Sequence, residues 1–398
     1  MADSAALLVD DVLPSQPMRQ WVLSVPFPLR FLFASNPKAM TGVLGIVYRA
    51  ISTHLAHKAG FAKPLAQTGA VTLIQCFGGS LNLNIHFHML FLDGIYADNK
   101  HGSSRFRWVK APTSAELTQL THIIAHRVGR YLERQNLLVR DDENSYLTAE
   151  GADADNESPL NHLLGSSITY RIAMGVQQGR KVFTLQTLPD CSDGPLAPRT
   201  GNVAGFSLHA GVTARAHERA KLERLCRYIA RPAVSTQRLS LTRNGQVRYE
   251  LKTPYRNGTT HVIFEPLDFI SRLVALIPKP RVNLTRFHGV FAPNSRYRAM
   301  VTPAKRGKGK KARPTVGDQT PAEHRAAMTW AQRLKRVFDI DIETCSECGS
   351  DVKIIASIED PVVIRTILAH LAGKGVFAAD SLLPDCRASP SPPMGLLV

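Results

Sequence analysis

Cysteine is scarce in this chain. The six that occur, at positions 76, 191, 226, 345, 348 and 386 of 398 residues, make no disulfide framework, so the fold has to rest on a hydrophobic core. Only Cys345 and Cys348 stand at metal-ligand spacing. Long apolar runs are missing as well: none approaches a bilayer span, and Met1-Ala2-Asp3-Ser4, followed by Asp10 and Asp11, lacks the basic start and apolar stretch of a signal peptide. A cytoplasmic location is expected. No Walker A motif or other helicase signature occurs, which argues against a multifunctional replication initiator. Acidic residues are in the minority, 32 Asp and Glu against 49 Lys and Arg, for a formal net charge of +17. Such a surplus favours a polyanionic partner through counterion release, and nucleic acid over a membrane surface.

What is present suits a globular protein. With 44% hydrophobic residues the chain can bury a sizeable core and has room for two or three domains. Residues 1–68 read as a helical segment, with periodic apolar stretches around Leu29-Phe33 and Val43-Leu55 and a break from Gly60 to Pro64. From Gly69 the pattern turns to strand: Ala70-Val71-Thr72-Leu73-Ile74-Gln75, a Gly78-Gly79-Ser80 turn, and a second strand make a hairpin. A helix near Ser114 to Leu137 follows, then an acidic insertion near 140–158. Strands are expected at Lys181 to Gln186, Gly205 to Ala210, Val247 to Lys252 and Thr260 to Phe264, and helices at His217 to Ala230 and Leu267 to Leu276. This core runs to about residue 300. From Arg281 to Arg313 there are ten Lys or Arg and no Asp or Glu, a run read as a flexible, phosphate-binding linker with 301–320 at its centre. A small module, 321–398, closes the chain with a basic helix around Trp330 to Arg336, the cysteine pair and a Pro/Ser-rich tail expected to be disordered.

The chemistry concentrates in the second strand of the hairpin. Alternate residues of a strand share a face, so in Asn84-Ile85-His86-Phe87-His88-Met89 the two imidazoles point together while Ile85, Phe87 and Met89 face the core. Two imidazoles on one face can share a divalent metal, the signature of the HUH nucleases, which cut single-stranded DNA with a tyrosine. The hairpin brings the Gln75 amide oxygen near them, and two nitrogens plus an oxygen suit Mg²⁺ or Mn²⁺. His209 is the competing third ligand. Asn84, on the face of His86, is expected to orient an imidazole. A nucleophile is still needed, and in Lys221-Leu222-Glu223-Arg224-Leu225-Cys226-Arg227-Tyr228-Ile229-Ala230-Arg231-Pro232 the phenol of Tyr228 falls on the helical face of Lys221, Arg224 and Arg231. A phenol with a reference pKa of about 10 attacks poorly at neutral pH, so neighbouring cations favour the phenolate and hold the scissile phosphate. Tyr255 is the second candidate.

In order along the chain, Thr72-Leu73-Ile74-Gln75-Cys76-Phe77-Gly78, Asn84-Ile85-His86-Phe87-His88, Gly205-Phe206-Ser207-Leu208-His209, Cys226-Arg227-Tyr228-Ile229-Ala230-Arg231-Pro232, Lys252-Thr253-Pro254, Arg286-Phe287-His288-Gly289-Val290 and Cys345-x-x-Cys348-Gly349 resemble the rolling-circle transposases of the IS-ninety-one family, in its insertion-sequence-common-region branch. The resemblance implies an α+β HUH endonuclease core, a mainly antiparallel sheet with helices. It also implies a bacterial mobile element whose enzyme nicks and joins single-stranded DNA through a tyrosine-phosphodiester intermediate. Gln75 is favoured as third ligand, because that family carries histidine or glutamine there. Arg224 stands where the two-tyrosine branch has its second tyrosine, so a single-tyrosine enzyme is expected. Phosphate binding falls to Lys221, Arg224, Arg227, Arg231, Arg286, Lys308, Lys310 and Lys311. Relatives usually begin with a cysteine-rich zinc module; no cysteine precedes Cys76, so that module is expected to be absent. Cys345 and Cys348 resemble one knuckle of a zinc ribbon, for which His370 and Cys386 are the available completing ligands. The same chemistry would serve a plasmid replication initiator or a relaxase, and a non-catalytic DNA-binding remnant of a mobile element is the alternative from another class.

Overall fold

Pro17 and Pro26 bracket an apolar run, and in the computed structural model of this chain that run is strand β1 (Met18–Ser24). The expectation of a helical segment over 1–68 is corrected here, although α1 (Ala2–Leu7), α2 (Phe27–Ser35) and α3 (Pro37–Lys58) are helices. The reason is burial: a strand covered on both faces shows no polar alternation, so its sequence cannot be told from a buried helix by period. The structure describes residues 2–98, 104–140, 145–148, 158–188, 200–305, 328–345, 348–353, 358 and 360–373.

After the short strand β2 (Ala66–Gln67) comes the expected hairpin, β3 (Gly69–Phe77) and β4 (Leu83–Leu92). Its turn is closed by Gly78 N–H donating to Asn82 O at 2.8 Å, with Leu81 in the left-handed region at φ 59°. Next follow β5 (Gly94–Asp98), β6 (Ser104–Trp108) and helix α4 (Ser114–Arg134), which starts at a capping box between Thr113 and Glu116. The pair β7 (Leu138–Arg140) and β8 (Ser145–Leu147) flanks residues 141–144, and most of the acidic insertion lies outside the described residues. The chain continues through α5 (Pro159–Ile168), β9 (Phe183–Gln186), β10 (Thr200–Val203), β11 (Phe206–Ala214) and α6 (Arg219–Ile229). It then runs through β12 (Leu239–Leu241), β13 (Val247–Glu250), β14 (Thr259–Phe264), α7 (Pro266–Ala275), β15 (Thr285–Gly289) and α8 (Arg298–Val301).

Six strands form the principal sheet in the order β10-β11-β1-β4-β3-β15, with every neighbouring pair antiparallel. The fold is α+β. Period two sorts its side chains: Trp21, Leu23, Ile74, Ile85, Phe87, Met89 and Phe91 turn to one core, covered by α2, α3 and α4. Gly42 of α3 sits where a Cβ would strike the Tyr131 hydroxyl of α4, so these two helices meet closely because of that glycine. The opposite face presents Leu73, Leu90 and Leu92 to α6 and the N-terminal turn through Leu222, Cys226, Ile229, Leu8 and Val12. At the end of β1 and β4, Arg19 holds Asp93 through two 2.8 Å bonds and donates to Ala210 O at 2.9 Å, joining three strands. A second sheet, β12-β13-β14-β9, packs a small core of Tyr249, Leu251, Val262 and Phe264 around Leu81 from the hairpin tip.

β15 corrects the linker reading. The run beginning at Arg281 contains the edge strand paired with β3, because Thr285 and Phe287 alternate inward and complete the sheet. The chain divides into two units, 1–325 and 326–398. Described parts of the second are α9 (Trp330–Phe338), capped by Thr329 and Gln332, and α10 (Pro361–Gly373). Among the described residues no helix is long and apolar enough to cross a membrane.

Candidate active site

The site grows from the register of β3, β4 and β1. Gln75 stands directly opposite His86, Leu73 opposite His88, and on the other side Val22 opposite His88 and Ser24 opposite His86. Residues paired across strands share a face, so Gln75, His86 and His88 lie on the side covered by α6. The two imidazole rings are edge to face with centroids 4.9 Å apart. His86 Nδ1 lies 2.8 Å from Asn84 O, and a carbonyl only accepts, so this nitrogen carries the proton and Nε2 keeps its lone pair. The orienting group expected from Asn84 is therefore its backbone; its side-chain Oδ1 is buried without a partner. His88 Nδ1 lies 2.7 Å from the Gln20 amide. The atom facing it is Gln20 Nε2, which only donates, so Nδ1 accepts and the ring proton sits on Nε2; turning that amide end for end would free His88 Nε2 as a donor to a metal. Burial, then Arg231 and Arg30, holds His86 down to about 4, and burial, His86 and Arg231 hold His88 well below the ordinary histidine value. Both rings are neutral at physiological pH.

Gln75 faces two ways. Its Nε2 donates to Ile229 O at 2.6 Å, which leaves its carbonyl oxygen as an acceptor on the residue paired opposite His86. Two neutral imidazoles and an amide oxygen on adjacent strands form a donor set that fits a divalent cation. Among the described residues no group of three or more His, Cys, Asp or Glu is placed to hold a metal ion. His209 pairs with Val22, which pairs with His88, and is thus two strands away, about 10 Å. Its ring folds over Gly211 instead.

The residue after Tyr228 is Ile229, so the same hydrogen bond ties Gln75, paired opposite His86, to the helix that carries Tyr228. Amphipathic α6 buries Leu222, Cys226 and Ile229, and Tyr228 is half-buried beside them. The guanidinium of Arg231, just past the helix end, lies 4.6 Å from the Tyr228 ring centre and 5.8 Å from that of Phe77, with its Nε buried and unpartnered. Lys252 Nζ lies 4.6 Å from the same ring. Burial, with Arg231 and Arg238 nearby, pushes that ammonium down to about 8.

Several expected residues stand elsewhere. Lys221 pairs with Glu218, the residue just before α6, at 3.3 Å and Arg227 with Glu223 of α6 at 3.4 Å, while Arg224 is exposed. Arg286 pairs with Thr72, which pairs with Met89, and so lies on the opposite face of the sheet from the histidines. Lys308, Lys310 and Lys311 lie outside the described residues. Tyr255, pushed up to about 12 by burial, is engaged with Ser80 and Tyr170. In the second unit, Gly349 N–H donates to Cys345 O at 3.0 Å, which closes a turn around Cys345 and Cys348. Hydrogen bonds from Ser350 lower the exposed Cys348 thiol to about 7. Cys386 lies outside the described residues, and no further ligand joins the two thiols among those described. Gln20 and Lys252 are the site residues that sequence reasoning missed as functional groups. A lone amide in the apolar run of β1 was the signal for the first, and Lys252-Thr253-Pro254 for the second.

Comparison with protein families gives one finding. Residues 69–298 match a family model described as "Putative transposase", a stretch that contains the hairpin, α6 and β15. No curated protein and no solved structure matches the chain.

Proposed function

This chain belongs to that transposase family, whose members act in moving DNA elements, and from this premise we propose that it nicks and rejoins single-stranded DNA through Tyr228 in rolling-circle transposition. One observation supports the reading: the 2.6 Å hydrogen bond from Gln75 Nε2 to Ile229 O joins the residue paired opposite His86 to the residue that follows Tyr228. In the nicking step Tyr228 Oη attacks a backbone phosphorus and the bond from phosphorus to the 3′-oxygen breaks. The phenolic proton passes to solvent and the leaving 3′-oxygen takes one up, which leaves a 5′-phosphotyrosine and a free 3′-hydroxyl. Attack by a 3′-hydroxyl on that ester reverses the step and joins strands. The 3′-hydroxyl freed by nicking is the primer that replicative displacement needs.

Arg231 and Lys252 flank the phenol and hold the negative charge that gathers on the attacking oxygen and the phosphate. His86 Nε2, the Gln75 carbonyl and, with the Gln20 amide turned to present its oxygen to Nδ1, His88 Nε2 would hold a divalent cation such as Mg²⁺ or Mn²⁺, which when bound polarises the scissile phosphate as a Lewis acid. Gln20 and Asn84 O keep the two rings oriented. With one tyrosine in α6 and Arg224 a turn before it, strand transfer proceeds through a single covalent site per chain.

The test is covalent capture. An oligonucleotide labelled on the 3′ side of the nick, incubated with Mn²⁺, is expected to leave a labelled protein band that Tyr228→Phe abolishes, while binding of the strand stays within a few-fold. A band that persists in Tyr228→Phe moves the nucleophile to another residue, Tyr255 first. No band from the unaltered chain with metal present leaves a DNA-binding remnant.

A further inference from the structure

The helical side of the principal sheet carries a second concentration of charge. A groove between α3 and α4 is lined by Ile46 and Arg49 from one helix and His126, Arg127, Arg130 and Arg134 from the other. No carboxylate lines it. Arg127, Arg130 and Arg134 recur at helical spacings of three and four, so they form one row that spans about 10 Å along the axis. All five cationic or titratable side chains are exposed. The groove encloses about 410 Å³, against about 30 Å³ for one water molecule, enough for a phosphodiester with its sugar.

We propose that this groove binds the phosphate backbone of double-stranded DNA, on the face of the sheet opposite His86, His88 and Tyr228. Like-charged arginines packed along one row repel one another, and a partner with regularly spaced negative charge relieves that repulsion. Nucleic acid has such a backbone, one charge per about 1.7 Å of duplex axis. Duplex is favoured over single strand by what is missing: no Phe, Tyr or Trp lines the groove, whereas proteins that hold single strands stack bases on aromatic rings. Contacts of this kind position DNA without reading its sequence. The inference rests on the transposase reading for its biological setting. In that setting the duplex part of an element is held on one side of the molecule while its single strand is cut on the other.

The experiment uses the full chain with Arg127→Ala, Arg130→Ala and Arg134→Ala combined, and a separate variant with Arg49→Ala. A blunt duplex of unrelated sequence is titrated between 50 and 200 mM salt, and covalent capture of a single strand is measured in parallel. The triple variant is expected to lose at least tenfold in duplex affinity at 50 mM salt. Its salt slope should fall by about 2.7, since each duplex phosphate contact contributes about 0.9. Across that fourfold salt range the unaltered chain would then weaken about 40-fold more than the variant. Arg49→Ala should lose a slope of about 1, and capture of the single strand should stay within twofold in both. Duplex affinity and slope unchanged in the triple variant, with an unchanged melting temperature, overturn the inference. Equal losses for duplex and for capture of the single strand overturn it also, since the groove would then belong to the cutting site. Should the unaltered chain form no adduct at all, the nuclease reading fails while the duplex titration still decides the groove.

Discussion

Arg231 is the residue on which the electrostatics of the site converge, and removing its charge tests them directly. Its guanidinium lies 4.6 Å from the centre of the Tyr228 ring, its Nε is buried without a partner, and its field depresses the protonation of both His86 and His88. At a separation of about 5 Å and an effective dielectric constant of about 20, a full charge pair is worth about 3 kcal/mol. That energy is realised in the transition state, where the phenolic oxygen and the phosphate carry the most negative charge, and only in part when DNA merely binds. Arg231→Met keeps the apolar stem and drops the charge. The single-turnover rate of adduct formation should fall about 100-fold, because each 1.36 kcal/mol is a factor of ten. Binding of the strand should weaken only a few-fold. Arg231→Lys retains the charge without the planar fork and should lie between, about tenfold down. The assay is rapid-quench capture of a 3′-labelled oligonucleotide at saturating protein, read on a denaturing gel. An Arg231→Met chain within threefold of the unaltered rate would sink the argument, since the cation would then serve packing alone.

The proposed metal donors should separate by strength: His86→Ala should abolish metal-dependent cleavage, while Gln75→Ala should shift the metal midpoint 10- to 100-fold and recover at raised Mn²⁺. An unchanged midpoint in Gln75→Ala excludes it as a ligand. Acid stability should depend on His288, which stacks on Tyr48 and is held down to about 4 by burial and then Arg286. Its folded value is below its unfolded one, so the unfolded chain binds the extra proton and stability is lost as pH falls from about 6.5 towards 4. The loss should reach about 2.5 kcal/mol at pH 4.5. Urea melts at pH 7 and 4.5 should therefore show a smaller difference for His288→Gln, and an equal difference refutes the assignment. Asp93→Ala strands the buried Arg19 and should cost about 3 to 5 kcal/mol at pH 7; a loss under 1 kcal/mol in the same melts would show that Arg19 finds other partners.

The residues differ in how openly they declare these places. The β3–β4 hairpin is legible because a Gly78-Gly79-Ser80 turn separates two β-rich runs, and period two then puts His86, His88 and Gln75 together without further information. Tyr228 is legible as a member of an amphipathic helix. Its cations are legible only in part: the helical wheel selects Lys221 and Arg231 alike, yet Glu218 engages the first. Lys252 reaches the tyrosine from the bend after β13 of a different sheet, a contact set by how that sheet docks and by nothing in its own neighbourhood. β1 hides Gln20 because burial on both faces erases the alternation that marks a strand. Arg286 shows the opposite error: a charge run suggested a solvated linker, whereas strand alternation assigns it to a face of the sheet.

Leu81 has a consequence for how the molecule breathes. It tips the β3–β4 hairpin with a backbone at φ 59°, a conformation that costs a non-glycine residue about 1 to 2 kcal/mol, and it is fully buried among Tyr249, Leu251, Val262 and Phe264. The hairpin is thus latched into the small sheet by a side chain whose own backbone would relax if the latch were released. Opening of the small sheet has to withdraw Leu81, so the two segments exchange their amide hydrogens as one cooperative unit. Lys252 follows Leu251 of that small core and Gln75 lies in the strand leading to the hairpin tip, so the latch joins the two segments that carry these groups.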